Sequence, residues 1–232
     1  MRCICAGKKR CGVVKLRQRH TVGSGLGHSC PIHPIRKDVL RMKNPMAAMT
    51  LATGEVIRME LFPEIAPNAV TSFVYLAYRG VFDNYPIERV VPGWVLDMSY
   101  HAFHNRQACY FIPNDTVSGR YLKAEFGTVG LGGYGKPDIA GGEFFFPLAD
   151  CPAITGTYPI FGRVTEGLEV LRRLEQVETY PVPFPDQPEV RINTPVSPQF
   201  IRSVTVETFG IKYGDPVRLS GIPKPLFWPT IL

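Results

Sequence analysis

Arg89 is the residue of this chain whose setting most plainly asks for a chemical reason. It lies in the run Tyr85–Ser99, which otherwise reads as two apolar strand segments hinged at Pro92-Gly93. Burying an unpaired guanidinium is costly, so such a charge is either paired structurally or faces a groove and acts on something bound there. His101 and His104, three apart and close to Asp97, have the types to bind a metal, although two histidines in a polar loop are more often simply solvated. Cys3, Cys5, Cys11, His28, Cys30 and His33 also invite a zinc reading, but paired C-x₂₋₄-C knuckles are missing and the spacing fits no standard structural site.

The elements that must position Arg89 lie downstream of a compositionally distinct leader. The chain has 232 residues, 45% hydrophobic and 20% charged, enough for one sizeable core and an appendage. Residues 1–41 hold ten of the 26 Lys and Arg but one acid, Asp38, so the net charge of +6 belongs to this leader and the rest is slightly acidic. Nonspecific nucleic-acid binding is therefore open to the leader alone, and none is expected of the body. Four of the six cysteines are also in the leader; Cys109 and Cys151 in the body make no disulfide framework, which points to a reducing cytoplasm. No apolar run approaches the ~20 residues a membrane-spanning helix needs, and none in Met1–Val14 resembles a secretory signal. The segment 1–45 reads as a disordered leader or as translated upstream sequence. Arg36-Lys37-Asp38 is what a purine-rich ribosome-binding site gives when read in frame just ahead of Met42. Detection of residues 1–41 in the endogenous protein would exclude that second reading.

From Met46 the pattern is regular. Met49, Leu51, Ile57, Met59 and Leu61 alternate around Thr53-Gly54-Glu55 as an antiparallel hairpin. Pro67 opens a helix whose stripe is Val70, Phe73, Val74 and Ala77, and Arg79-Gly80 closes it. Residues 100–127 read as loop with a short strand at Ala108–Ile112, and Gly132–Gly142 as a glycine-rich loop in close approach to something. Strands are expected at Thr128–Leu131, Glu143–Leu148, Tyr158–Thr165 and Phe200–Phe209. A helix is expected at Gly167–Gln176 with Leu168, Val170, Leu171 and Leu174 buried. The segment Tyr180–Pro198 reads as a long connection, and 210–232 as a Pro-rich surface tail. Many short strands and two helices without βαβ alternation argue for a closed or nearly closed antiparallel barrel over 46–209.

Several stretches carry a family resemblance. Met59–Pro67 before the helix, Arg89-Val90-Val91-Pro92-Gly93, Gly142-Glu143-Phe144-Phe145 and Phe161–Gly167 follow the order and spacing of the cyclophilin family of peptidyl-prolyl isomerases. The resemblance implies a mainly β fold, an eight-stranded antiparallel barrel with a helix capping each end and a peptide groove on its outer face. It also implies proline-containing peptides or unfolded proteins as substrates, no cofactor or metal, no membrane, and action as a monomer. By residue-by-residue match Arg89 falls on the catalytic arginine. Val95, Phe144, Phe145, Glu143, Asp97, Gly133, Tyr134, Ile154 and Tyr158 fall on substrate-binding positions, with Phe145 as the socket floor. Departures are marked. Val95 stands for a socket methionine, Ala153 for the wall tryptophan and Tyr158 for the wall histidine, while Asp97 and Glu143 replace neutral amides that hold the arginine. Carboxylates grip a guanidinium harder, which either pre-sets Arg89 or neutralises it. The altered groove implies weak isomerase activity and poor affinity for cyclosporin. Two alternatives stay open: a non-catalytic module binding proline-containing peptides or a partner protein, with Arg89 the centre of a buried ion cluster, and a metal-dependent activity.

Overall fold

The computed structural model describes residues 43–98, 106–133, 136–184 and 187–223. The leader, the histidine pair and Tyr134 lie outside these. Strands β1 (Met46–Leu51) and β2 (Val56–Leu61) form the expected hairpin, with Met49 opposite Ile57 and Ala47 opposite Met59. Their alternate residues Ala47, Met49, Leu51, Ile57, Met59 and Leu61 enter the core. Helix α1 (Pro67–Tyr78) buries its Val70, Phe73, Val74 and Ala77 stripe. Its first N–H groups are satisfied from afar, since Asp115 accepts from Ala69 N at 2.8 Å and from Asn68 N at 3.4 Å.

The strands that follow are β3 (Tyr85–Ile87), β4 (Arg89–Val91), β5 (Val95–Asp97), β6 (Ile112–Pro113), β7 (Thr128–Leu131), β8 (Ile139–Ala140), β9 (Phe144–Pro147) and β10 (Ile160–Glu166). Helix α2 (Leu168–Glu175) precedes β11 (Thr179–Phe184), β12 (Gln187–Pro195) and β13 (Gln199–Glu207). Nine strands form one sheet in the order β3-β13-β1-β2-β10-β7-β9-β5-β4. Its two end strands, β3 and β4, are consecutive in the chain and separated only by Glu88. Counted as one stave broken at Glu88, they make this the closed eight-stave barrel that the resemblance implies. Inside it a cluster of rings fills the core: Phe144 meets Phe73 at 5.3 Å, Phe82 at 5.1 Å and Phe146 at 5.9 Å, all edge to face.

Three local expectations are corrected. The segment Tyr180–Pro198 is not a plain connection: β11 and β12 pair as a hairpin, with Val182 opposite Ile192, and β12 packs beside β4. Pro181 and Pro183, two apart, put their missing N–H groups on one edge of β11 and leave the other edge for pairing. The strand expected at Ala108–Ile112 is a 3₁₀ turn over Arg106–Ala108 followed by β6, which pairs with β8 out of the glycine-rich stretch. Leu168 is exposed, because it opens α2 on the helix's outer side; Val170, Leu171 and Leu174 are buried as expected. The tail is pinned to the body. Asn68 exchanges amide hydrogen bonds with the backbone of Val217 at 2.9 and 3.0 Å, and Leu219 N donates to Phe111 O at 2.8 Å.

Candidate active site on the outer face of β4, β5 and β9

Strand alternation sorts the central residues into two faces. Val90, Leu96, Phe144 and Phe146 point inward, so Arg89, Val91, Val95, Asp97 and Phe145 point outward. Register then sets the outward side chains in rows. Arg89 lies opposite Asp97, Asp97 opposite Phe145, Phe145 opposite Gly130 and Gly130 opposite Ile160. A second row runs Val91, Val95, Pro147. A guanidinium is thereby placed at one end of a line whose other end is apolar.

That apolar end is a compact cluster outside the barrel core. Val95, Phe145, Ile154, Ile160, Ala124 and Cys151 are buried together, with Val91, Leu122 and Tyr158 partly exposed around them. Gly130 makes the floor possible: a Cβ there would stand 2.7 Å from Phe145 Cζ and 2.8 Å from Ile160 Cδ1. Gly133 does the same at the wall, where a Cβ would meet Tyr158 Cε1 at 3.0 Å. Tyr158 stands edge-on to Phe145, with ring centroids 6.0 Å apart. Ala153 is exposed on the turn that carries Ile154. The Cys151 thiol sits 3.4 Å from Trp94 O, and burial pushes its pKa up, so it packs as a small neutral group.

At the charged end, Arg89 Nη1 donates to Asp97 Oδ2 at 2.9 Å, and both side chains are largely buried. The Trp94 ring lies 4.8 Å from the guanidinium carbon, a stacking contact that shields the cation further. Burial pushes the Asp97 carboxyl above the ordinary range, while the charge and hydrogen bond of Arg89 pull it back down. Glu143 is also buried; its backbone carbonyl accepts from Gly132 N at 2.9 Å, which fixes its strand beside the glycine-rich loop.

The structure thus brings together Arg89, Asp97, Val95, Phe145, Ile154 and Tyr158, with Gly133 and Glu143 at the margin. Phe144 is a correction: it faces the barrel interior among Phe73, Phe82 and Phe146, because residues one apart in a strand point to opposite sides. Tyr134, His101 and His104 lie outside the described residues, and among the described residues no His, Cys, Asp and Glu group could hold a metal. Sequence reasoning missed Gly130, Leu122, Ala124, Ile160, Cys151 and the role of Trp94. Alternation in Thr128–Leu131 could have found Gly130; nothing in the pattern marks Leu122 or Cys151.

A family model described as cyclophilin type peptidyl-prolyl cis-trans isomerase/CLD matches residues 47–196. Peptidyl-prolyl cis-trans isomerase B of Bacillus subtilis is 34% identical over 125 residues, spanning 53% of this chain and 86% of that protein. An Arabidopsis thaliana peptidyl-prolyl cis-trans isomerase is 32% identical over 127 residues; the match takes in 53% of this chain and 25% of that longer protein. The crystal structure of a Cryptosporidium parvum cyclophilin type peptidyl-prolyl cis-trans isomerase, in the presence of the dipeptide Ala-Pro, superposes with a TM-score of 0.57 at 19% identity. That superposition covers 70% of this chain and 98% of the other.

Proposed function

The chain belongs to the cyclophilin-type peptidyl-prolyl isomerase family, and from that premise we propose that it catalyses cis-trans isomerisation of X-Pro bonds in unfolded polypeptides, at a reduced rate. Rotation about a peptide bond meets a barrier of ~18–20 kcal/mol because resonance stiffens C–N. No bond is made or broken, so the site needs no nucleophile, acid–base pair or metal. It needs a socket for the pyrrolidine ring and a donor aimed at the prolyl nitrogen, whose lone pair localises as the amide twists. Such a donor interacts more strongly with the twisted state than with either planar isomer, which is what lowers the barrier. Val95, Phe145, Ile154 and Tyr158 are the proposed socket, and Arg89, always charged and a planar multiple donor, the proposed catalytic residue.

The observation that carries this reading is the outward row in which Arg89 and Phe145 flank Asp97 on adjacent strands. The reduced rate follows from the same row: Asp97 holds one Arg89 donor at 2.9 Å. With Ala153 exposed and carrying no ring, cyclosporin affinity is expected to be poor. We place the protein in the cytoplasm as a monomer; a body with only two cysteines, Cys109 and Cys151, accords with a reducing compartment.

A protease-coupled assay on Suc-Ala-Xaa-Pro-Phe peptides tests the proposal. Wild type should accelerate isomerisation measurably, Arg89→Ala should abolish it, and Arg89→Lys, which keeps a charge for Asp97 but loses the planar fork, should retain only a small part. Rates equal to those of ordinary cyclophilins would refute the reduced activity. The buried Arg89–Asp97 pair favours a second reading, a non-catalytic module for proline-containing peptides. In that case wild type is inactive and Arg89→Ala leaves peptide binding largely intact.

A further inference from the structure

A buried carboxylate in α2 grips the turn that carries Trp94. Glu175 is only 6% exposed, and its Oε1 accepts the backbone N–H of Gly93 at 2.8 Å. Gly93 sits at φ 71°, a conformation that leaves its N–H turned out of the β4–β5 ladder for an external acceptor. The other oxygen, Oε2, accepts from Arg172 Nη1 at 2.7 Å, and that arginine also reaches Leu148 O at 3.3 Å and lies 3.6 Å over the Phe126 ring. The far side of the same turn is fixed as well: Leu148 N donates to Trp94 O at 2.8 Å. Pro92-Gly93-Trp94 is therefore held between α2 on one side and the end of β9 on the other. Trp94 leaves that turn directly over the Arg89 guanidinium.

A stack between an aromatic ring and a guanidinium depends on the ring's placement, and a displacement of about 1 Å in a catalytic constellation can cost on the order of a hundredfold in rate. We propose that Glu175 is a positioning residue for isomerisation, fixing the β4–β5 turn so that Trp94 holds the Arg89 guanidinium in the groove. This rests on the isomerase reading above. It adds a residue that touches neither substrate nor Arg89, and a route by which changes in α2 reach the groove. Arg172 serves both anchors of the turn, Glu175 through its second oxygen and Leu148 through its carbonyl.

The test combines exchange NMR on a proline-containing peptide, which separates kcat from KM, with acrylamide quenching of Trp94. The chain has two tryptophans, so a Trp228→Phe background leaves Trp94 as the sole reporter. Glu175→Ala should lower kcat about tenfold to a hundredfold with KM within about twofold, and should raise Trp94 quenching. Glu175→Asp, one methylene short of the turn, should do the same if the alanine variant fails to fold. Glu175→Gln keeps an acceptor for Gly93 N and should recover kcat to within about threefold of wild type. Arg173→Ala, which breaks the ion pair of α2 with Glu55 at 2.6 Å, should lower thermal stability while leaving kcat and Trp94 quenching at wild-type values, which separates positioning from general destabilisation. Wild-type quenching in both Glu175→Ala and Glu175→Asp, or a fall in kcat without any change at Trp94, would overturn the proposal. An inactive wild type would sink the isomerase reading instead, and Trp94 quenching would then decide whether Glu175 holds the turn.

Discussion

At the scale of single residues, the sharpest question is what Asp97 does to Arg89. Replacing it with asparagine keeps an acceptor beside the guanidinium but removes the charge that holds it, so Asp97→Asn should raise kcat/KM several-fold in the peptide assay. A fall in activity would mean that the carboxylate orients Arg89 and does not restrain it. The same residue sets a pH dependence. Its carboxyl is raised by burial above the ordinary 3.8, so the folded state binds this proton more tightly than the unfolded chain does. The resulting stabilisation is complete below the unfolded value and is lost as pH rises through the higher folded one. Denaturation midpoints measured across that acid window should therefore fall with rising pH more steeply in wild type than in Asp97→Asn. Gly130 offers a second residue-level test. A methyl there collides with Phe145 and Ile160, and such overpacking typically costs ~1–3 kcal/mol. Gly130→Ala should raise KM for proline peptides by tilting the Phe145 ring, as a titration of peptide binding would show.

At the scale of elements, what the sequence disclosed depended on whether a segment's signal was local. Helix α1 could be read from Pro67, its Val70–Phe73–Val74–Ala77 stripe and the Arg79-Gly80 stop, all within its own length. Its capping carboxylate could not, because Asp115 is more than forty residues away and meets Ala69 and Asn68 only in the folded barrel. Asp115→Ala should cost about 0.5–2 kcal/mol, as lost helix caps do, with isomerisation per folded molecule unchanged; urea denaturation reads the first and the peptide assay the second. The β11–β12 hairpin was hidden for another reason. Its prolines are strong signals for a connection, and only their two-residue spacing makes a paired edge strand compatible with them. Phe144 shows the converse: its motif marks the groove, yet one-residue alternation sends it inward while Phe145 goes outward.

At the scale of the whole molecule, the barrel was legible because its motifs recur in a fixed order along the chain, and closure then follows from topology. The proposed socket was legible only in part, since the apolar cluster that forms it comes from β4, β5, β9, β10 and the segments around Leu122 and Ile154, which share no sequence signal. The tail belongs to the body more than its composition suggests. Tyr213, Leu219 and Ile222 pack on the core, and Val217 and Leu219 are pinned by backbone hydrogen bonds. Removing residues 210–232 should therefore lower stability by about 2–4 kcal/mol, from three lost hydrogen bonds of ~0.5–1.5 kcal/mol each, partly offset by chain entropy, together with lost apolar burial. Calorimetry of the truncated chain would check this.

The break at Glu88 has a mechanical consequence. A sheet that ended at β4 would present its last strand as a loose border, open to peeling and to capture by a foreign strand. Here the border is spliced to its opposite end through the backbone, and Arg89 is the first residue past the splice. Thermal agitation can unzip a row of hydrogen bonds from its end, but it leaves a covalent joint whole. The arginine end of the groove is thus anchored where the barrel closes through the backbone itself and not through a row of hydrogen bonds alone.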